Sequence, residues 1–312
     1  MAQKKVIFID SVHPILAERL EKAGYSCDWK TELDRAEIAK IIHEYEGAVI
    51  RSKFKFDKVI LDLASNLKWI ARSGAGMENI DVAYANSKGV DCYNSPEGNR
   101  DAVAEQAIGM LLSLFNNLNR ADSEVRKGIW KREENRGIEL KGKTIGILGY
   151  GNMGEAFAQR LKGFGVSIIA YDKYKSGFGN DDIKEVTEAE LFAKTDVLSI
   201  HLPLTEETTN MINDSYMGQF EKDIYLINTA RGKNLKTADL IQLLKEGKVL
   251  GACLDVLEYE SLSFEGLKDG NDAEEFQKLS ILNNVVLSPH IAGWTVESYE
   301  KLSSVLADKI LK

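Results

Sequence analysis

Cysteine is scarce in this chain. Cys27, Cys92 and Cys253 form an odd, scattered set, two of them inside apolar runs. Such a set suits neither a disulfide framework nor a metal cluster, so reduced buried thiols and no metal are expected. Long apolar runs are lacking as well, none approaching the roughly 18 residues that a membrane helix needs. The first ten residues place two lysines ahead of a short strand-like stretch, with no signal-peptide apolar core. A cytoplasmic protein with no membrane partner is the expectation. Basic charge is in deficit: 40 Lys and Arg against 48 Asp and Glu leave a net charge of −8. That balance argues against a nucleic-acid partner and leaves room only for a local cationic patch around an anionic substrate. Histidine is rare, with four in 312 residues. What remains is ordinary for a globular protein, 44% hydrophobic and 28% charged, with length for about two domains.

Midway along, Lys143-Thr144-Ile145-Gly146-Ile147-Leu148 runs into Gly149-Tyr150-Gly151-Asn152-Met153-Gly154, then an amphipathic stretch, a second apolar run and Asp172. This is the strand, glycine turn, helix, strand and acid of a dinucleotide-binding unit. Gly149 permits the tight turn, Gly151 lets backbone approach a pyrophosphate, and Gly154 lets helix and strand pack closely. The helix N-terminus offers amides and positive potential to the phosphates. Asp172 sits where a carboxylate accepts hydrogen bonds from a ribose diol and repels a 2′-phosphate, so NAD is expected over NADP. Lys173 and Lys175 follow it and soften that preference.

On each side of the motif, short strands alternate with helices. Residues 6–9, 25–29, 48–50, 68–71 and 90–93 read as strands, with helical periodicity at 15–23, 34–43, 58–64 and 80–88. A second series has strands at 144–148, 166–171, 197–202, 225–228, 251–254 and 285–287, with a final helix at 296–312. The pattern predicts an α/β chain built on doubly wound parallel sheets. Residues 94–99 read as turn chemistry, and 101–118 as a long helix that carries the chain from one domain to the next. The final helix returns it.

Three further elements carry chemistry. Asn228-Thr229-Ala230-Arg231-Gly232 follows an apolar strand at the carboxyl edge where such sheets bind ligands, and an arginine there forks onto a carboxylate. Gly251-Ala252-Cys253-Leu254-Asp255 is a strand ending in an acid, with Glu258 and Glu260 close behind. Ser288-Pro289-His290-Ile291-Ala292-Gly293-Trp294-Thr295 puts one of the few histidines just past the last strand.

Together with the glycine motif, Arg231, Glu260 and His290 resemble the D-isomer-specific 2-hydroxyacid dehydrogenases. Arg72-Ser73-Gly74-Ala75-Gly76-Met77-Glu78-Asn79-Ile80-Asp81, Gly98-Asn99-Arg100-Asp101-Ala102-Val103-Ala104-Glu105 and His201-Leu202-Pro203-Leu204-Thr205 extend the likeness over nearly the whole chain. The resemblance implies a Rossmann domain at 98–290 and a flavodoxin-like split substrate domain at 1–97 and 291–312. It implies that His290 exchanges a proton with the substrate oxygen while hydride moves between nicotinamide C4 and substrate C2. Glu260 would fix the imidazole and favour the imidazolium, and Arg231 would bind the α-carboxylate. Amides of Ala75 and Gly76 would hold the same carboxylate. Asp255 would orient the carboxamide, Asn152 and Met153 would meet the pyrophosphate, and His201, Pro203 and Thr208 would line the adenosine side. Val103, Thr229, Ala230 and Gly293 complete the implied NAD contacts.

The chain departs from the family after the catalytic acid. Ser261 stands where proline is usual, and an acidic insert around residues 264–275 lengthens the interval to His290. Glu258 is therefore a rival to Glu260, which keeps the family's offset from Asp255. Within the family the likeness is greatest to phosphoglycerate dehydrogenases, whose phosphate meets basic residues after the equivalent of the third strand. Here those are Arg51 and Lys53, with Lys55 and Arg72 nearby. Oxidation of 3-phosphoglycerate, toward serine, is the leading specific reading. Glyoxylate or hydroxypyruvate reduction is the alternative, and an NAD-sensing co-repressor-like protein is the alternative of another class. Apolar residues on most faces of 101–118, together with the family's habit, predict a homodimer through that region.

Overall fold

The structure, a computed structural model, describes residues 4–260 and 272–312; Ser261 and most of the acidic insert lie outside them. In chain order the first elements are β1 (Lys4–Phe8), α1 (Ile15–Lys22), β2 (Tyr25–Trp29), α2 (Arg35–Ile41), β3 (Gly47–Ile50), α3 (Lys58–Leu63), β4 (Trp69–Arg72), α4 (Val82–Ser87) and β5 (Asp91–Asn94). Then come α5 (Pro96–Phe115), α6 (Leu118–Arg126), β6 (Thr144–Leu148), α7 (Asn152–Arg160), β7 (Ser167–Tyr171), β8 (Ile183–Glu185), α8 (Glu188–Lys194) and β9 (Val197–Ile200). The series ends with α9 (Asp214–Met217), β10 (Ile224–Asn228), α10 (Thr237–Glu246), β11 (Val249–Leu254), α11 (Asp272–Ser280), β12 (Val285–Leu287) and α12 (Val296–Ile310).

Two compact units result, dividing between Arg100 and Asp101, inside α5, and again between Ala292 and Gly293. The first holds a five-stranded sheet in the order β2-β1-β3-β4-β5, every pairing parallel, which is the flavodoxin-like arrangement. Successive β1 residues serve opposite faces, as strand geometry requires. Val6 and Phe8 join Leu16 and Leu20 of α1 and Leu306 and Ala307 of α12. Ile7 faces Ile38, Phe56 and Ile70 in the other layer. An ion pair from Arg19 to Asp308 at 2.7 Å ties α1 to α12 at the surface.

The second unit holds seven parallel strands in the order β12-β11-β10-β9-β6-β7-β8. Relabelled from β6, this is the Rossmann order with one strand added. Both faces are covered, so its strands read as apolar runs: Leu226 and Ala252 enter one layer, Ile227 and Cys253 the other. The fold-class expectation is met in both units.

Three local expectations differ. The long helix begins at Pro96, not 101, because proline at a first helical position has no N–H to lose. It ends at Phe115 rather than 118: the chain turns at Asn117 (φ 52°) and starts α6. Strand β8 was not foreseen, being three residues with charged Lys184 and Glu185 on a sheet edge. Among the described residues no helix is long and apolar enough to cross a membrane.

Candidate active site

The glycine turn leaves β6 as the motif requires. At Gly149 (φ 92°) a Cβ would meet the His201 carbonyl at 2.7 Å, and at Gly154 it would meet the Gly149 carbonyl at 2.2 Å. These two glycines are demanded by the protein's own backbone. A Cβ on Gly151 would meet nothing within 4 Å among the described residues, so no close approach within them requires glycine there. Gly151 precedes α7 without a side-chain cap. The first amides of that helix, at Asn152 and Met153, therefore have no intrahelical acceptor.

Asp172, just past β7, fixes this turn. Its Oδ2 accepts from Tyr150 N at 2.7 Å, and its Oδ1 from Tyr174 N at 2.9 Å and Lys175 N at 3.0 Å. His201 Nε2 meets Ser199 Oγ at 2.9 Å, with the ring 5.3 Å from that of Phe157. Burial pushes its pKa down to about 3, which keeps the ring in its neutral form. Thr208 Oγ1 donates to the Pro203 carbonyl at 2.6 Å and accepts from Thr205 N at 2.8 Å, closing the loop after β9 on itself.

Beyond β10, Asn228 shapes the next turn, its Oδ1 accepting from Ala230 N at 3.1 Å and its Nδ2 donating to the Arg231 carbonyl at 3.0 Å. Arg231 Nη1 in turn donates to the Ala230 carbonyl at 2.7 Å. Among the described residues, Thr229 Oγ1 is buried with no hydrogen-bond partner. A hydroxyl of this kind at a strand's carboxyl end, on the same sheet edge as the glycine turn, fits a polar ligand laid across these loops. NAD fits this set of residues. Val103 is buried on α5, and Gly293 opens the segment belonging to the first unit.

The last turn carries the histidine. Asp255 is buried, and its carboxylate accepts from Ser288 Oγ at 2.6 Å, Ile291 N at 3.0 Å and Ala292 N at 2.8 Å. His290 N donates to the Asp255 carbonyl at 2.8 Å. The histidine backbone is left-handed (φ 54°), a conformation that costs a non-glycine residue energy and persists only where surroundings impose it. The effect is to bring His290 Nδ1 within 2.7 Å of Glu260 Oε2. Glu260 Oε1 is held by Leu257 N at 2.6 Å, so the acid is fixed as well. Glu258 turns elsewhere, accepting from Thr237 N at 2.9 Å at the start of α10. Between the two rival acids, the hydrogen bond to the histidine belongs to Glu260. The structure thus brings Arg231, Asp255, Glu260 and His290 into one unit.

The predicted substrate residues stand in the other unit. Asp10 Oδ2 gathers the loop after β3, accepting from Arg51 N at 2.5 Å, Ser52 N at 3.1 Å and Lys53 N at 3.3 Å. Arg51 carries its guanidinium 4.2 Å from the Trp294 ring centroid. Lys53 Nζ donates to the Thr31 carbonyl at 2.5 Å, and Arg72 Nε to the Arg51 carbonyl at 3.1 Å. Lys53 and Arg72 thus each commit a donor to a backbone carbonyl. Ala75 and Gly76 follow β4, and Asn94 Nδ2 holds the Ala75 carbonyl at 2.6 Å. Asp10 and Trp294 were missed in the sequence. An acid just past a strand and an aromatic beside the histidine segment were the available signals.

A sequence profile described as "D-isomer specific 2-hydroxyacid dehydrogenase, NAD binding domain" matches residues 108–292. The chain belongs to that family. It is 37% identical to the hydroxypyruvate reductase of Thermotoga maritima, over 90% of this chain and 88% of that one. It is 35% identical to the D-3-phosphoglycerate dehydrogenase of Archaeoglobus fulgidus, over 98% of this chain and 56% of that one. The chain thus spans about half the length of the curated phosphoglycerate dehydrogenases it matches. Among solved structures, the D-lactate dehydrogenase of Aquifex aeolicus complexed with NAD and lactic acid superposes with a TM-score of 0.82 at 27% identity, covering 99% of this chain and 94% of that one. The expected family and the NAD cofactor are both met.

Proposed function

We propose that the protein oxidises or reduces small D-2-hydroxy and 2-oxo acids with NAD, through His290, Glu260 and Arg231. The observation that carries this reading is the 2.7 Å contact between His290 Nδ1 and Glu260 Oε2. With Nδ1 committed to a carboxylate, Nε2 is the nitrogen that exchanges a proton with the substrate oxygen. Arg231 supplies a fixed positive charge for the α-carboxylate. NAD, when bound, supplies or takes the hydride. Asn152, Met153, Asp172 and Thr229 are the residues that would hold it. His290→Ala is expected to lower kcat roughly 10²–10⁴-fold with NADH still bound; near-normal turnover would refute the assignment.

For the substrate we favour 3-phosphoglycerate, supported by the cations of Arg51 and Lys53 beyond β3 and by the phosphoglycerate dehydrogenases among the relatives. A second reading, hydroxypyruvate or glyoxylate reduction, is favoured by the engagement of Lys53 with the Thr31 carbonyl, which commits one of its N–H donors and holds the ammonium there. Comparing kcat/KM for 3-phosphoglycerate oxidation and hydroxypyruvate reduction decides between them, and brisk reduction beside poor oxidation reverses the order.

We also propose a homodimer, though not on the argument from 101–118. Most apolar side chains of α5 are buried within this chain. The exposed apolar set lies just beyond it, in Leu118, Val125, Ile129, Ile138 and Trp130, the last 82% exposed. A second copy covering that stretch is the reading it supports, and a monomer on sizing in solution would reject it.

A further inference from the structure

The turn after Asp172 carries charges that the reading above leaves unused. Lys173 and Lys175 stand where a 2′-phosphorylated dinucleotide would look for cations. Neither is spare. Lys175 Nζ donates to the Tyr150 carbonyl at 3.1 Å and lies 5.1 Å from the Tyr150 ring centroid and 5.8 Å from that of Phe178. Those rings stack on each other at 4.3 Å. Lys173 is paired through its ammonium with Glu207, and the same carboxylate accepts the Tyr174 hydroxyl.

Glu207 belongs to the loop after β9 that the sequence reading assigned to the adenosine side. That loop is held by the Thr208–Pro203 and Thr205–Thr208 hydrogen bonds. Asn234 adds to them: its Nδ2 donates to the carbonyls of Pro203 and Thr208, each at 3.3 Å. The turn opposite is fixed by the three amides on Asp172. Two anchored loops thus present Glu207 on one side and Lys173 with Tyr174 on the other. Lys173 and the Tyr174 hydroxyl hold the Glu207 carboxyl below its usual range, so it is ionised wherever the enzyme works.

We propose that Glu207 is a specificity-determining residue: it takes up Lys173 and Tyr174 and adds a second negative charge to the turn that follows Asp172. The site is thereby set for the 2′-hydroxyl of NAD and against the 2′-phosphate of NADP. This rests on assigning the glycine turn and Asp172 to the dinucleotide. A 2′-phosphate entering here meets the Glu207 carboxylate and must break the Lys173–Glu207 ion pair to gain that lysine, while Lys175 is held at the Tyr150 carbonyl. An exposed pair of this kind is weak in isolation. The effect expected is therefore a bias in affinity rather than an absolute bar.

The test is binding, read as quenching of protein fluorescence by NADH and by NADPH, on the wild-type chain, E207Q, K173M and the double variant. Glu207→Gln is expected to tighten NADPH roughly three- to tenfold while NADH moves less than about twofold. Adding Lys173→Met should erase that gain, because the freed ammonium is what meets the phosphate. NADPH affinity unchanged in E207Q overturns the proposal, as does a gain that survives in the double variant. A wild-type chain that binds neither dinucleotide defeats the cofactor reading and the proposal with it. Tight NADH binding in all four proteins with no change in NADPH defeats Glu207 alone.

Discussion

The carboxyl edges of the two sheets are built by the same device and carry different chemistry. In each, an aspartate just past one parallel strand accepts backbone amides from the loop beyond the neighbouring strand. Asp10, after β1, takes the amides of 51–53 beyond β3; Asp255, after β11, takes those of Ile291 and Ala292 beyond β12. Asp172, after β7, takes Tyr150 N beyond β6 in the same way. Parallel strands end with amides that have no ladder partner, and in these three pairs one acid satisfies them while fixing the loop's path. The cargo differs. On the seven-stranded sheet the fixed loop bears an imidazole against a carboxylate, the arrangement that our proposed function assigns to proton transfer. On the five-stranded sheet it bears a guanidinium over an indole and an ammonium on a carbonyl, cations that suit recognition of an anion. Under that proposal a shared scaffold separates proton chemistry from charge recognition.

The hardest blow to that comparison is Asp255→Ala. It strips the acceptor from Ser288 Oγ, Ile291 N and Ala292 N at once and leaves His290 in a left-handed turn with less to hold it. Ile291 is partly exposed, so water replaces some of the loss. We expect about 2–4 kcal/mol of lost stability and turnover below one hundredth of wild type. Thermal unfolding and steady-state kinetics on the same preparation check it. An unshifted Tm would show that the aspartate merely decorates the turn, and Asp255→Asn, which keeps one acceptor oxygen, should recover part of the stability.

Much of this architecture was legible. Strands buried on both faces read as apolar runs, and the glycine motif is legible because Gly149 and Gly154 leave no space for a Cβ whatever the rest of the sequence does. Helix ends were less so. Pro96 looked like part of a turn and is the first residue of α5. Side-chain partnerships were the least legible, because they join loops far apart in the chain. Choosing between Glu258 and Glu260 turned on one hydrogen bond across thirty residues. The cations of Arg51, Lys53, Lys55 and Arg72 looked like a cluster by spacing, yet Lys53 and Arg72 spend donors on backbone carbonyls. Composition cannot show where a long, flexible side chain finds its acceptor.

Glu260→Gln gives a smaller and more diagnostic effect. The Glu260 carboxylate lies 2.7 Å from His290 Nδ1 and fixes the ring, and the substitution removes its charge while keeping its shape. Turnover at the optimum should fall by roughly a hundredfold, the lower end of what acid–base catalysis contributes. Turnover close to that of the wild type would leave Glu260 a structural support for Leu257 N rather than a partner of the histidine.

The mildest test is on the other sheet. Asp10→Ala removes the acceptor shared by Arg51 N, Ser52 N and Lys53 N. The loop borders solvent, so the loss is about 1 kcal/mol. If this loop recognises the substrate's anionic end, the loss falls on affinity for the acid. KM for the 2-oxo or 2-hydroxy acid should rise roughly fivefold, with kcat and the NADH dissociation constant within about twofold of wild type. Loss of kcat at unchanged KM would place proton chemistry on both sheet edges and break the division between them. A rise in KM that shrinks for substrates without a distal anion would sharpen it instead, because the five-stranded edge would then be recognising charge on the substrate rather than merely keeping a loop folded.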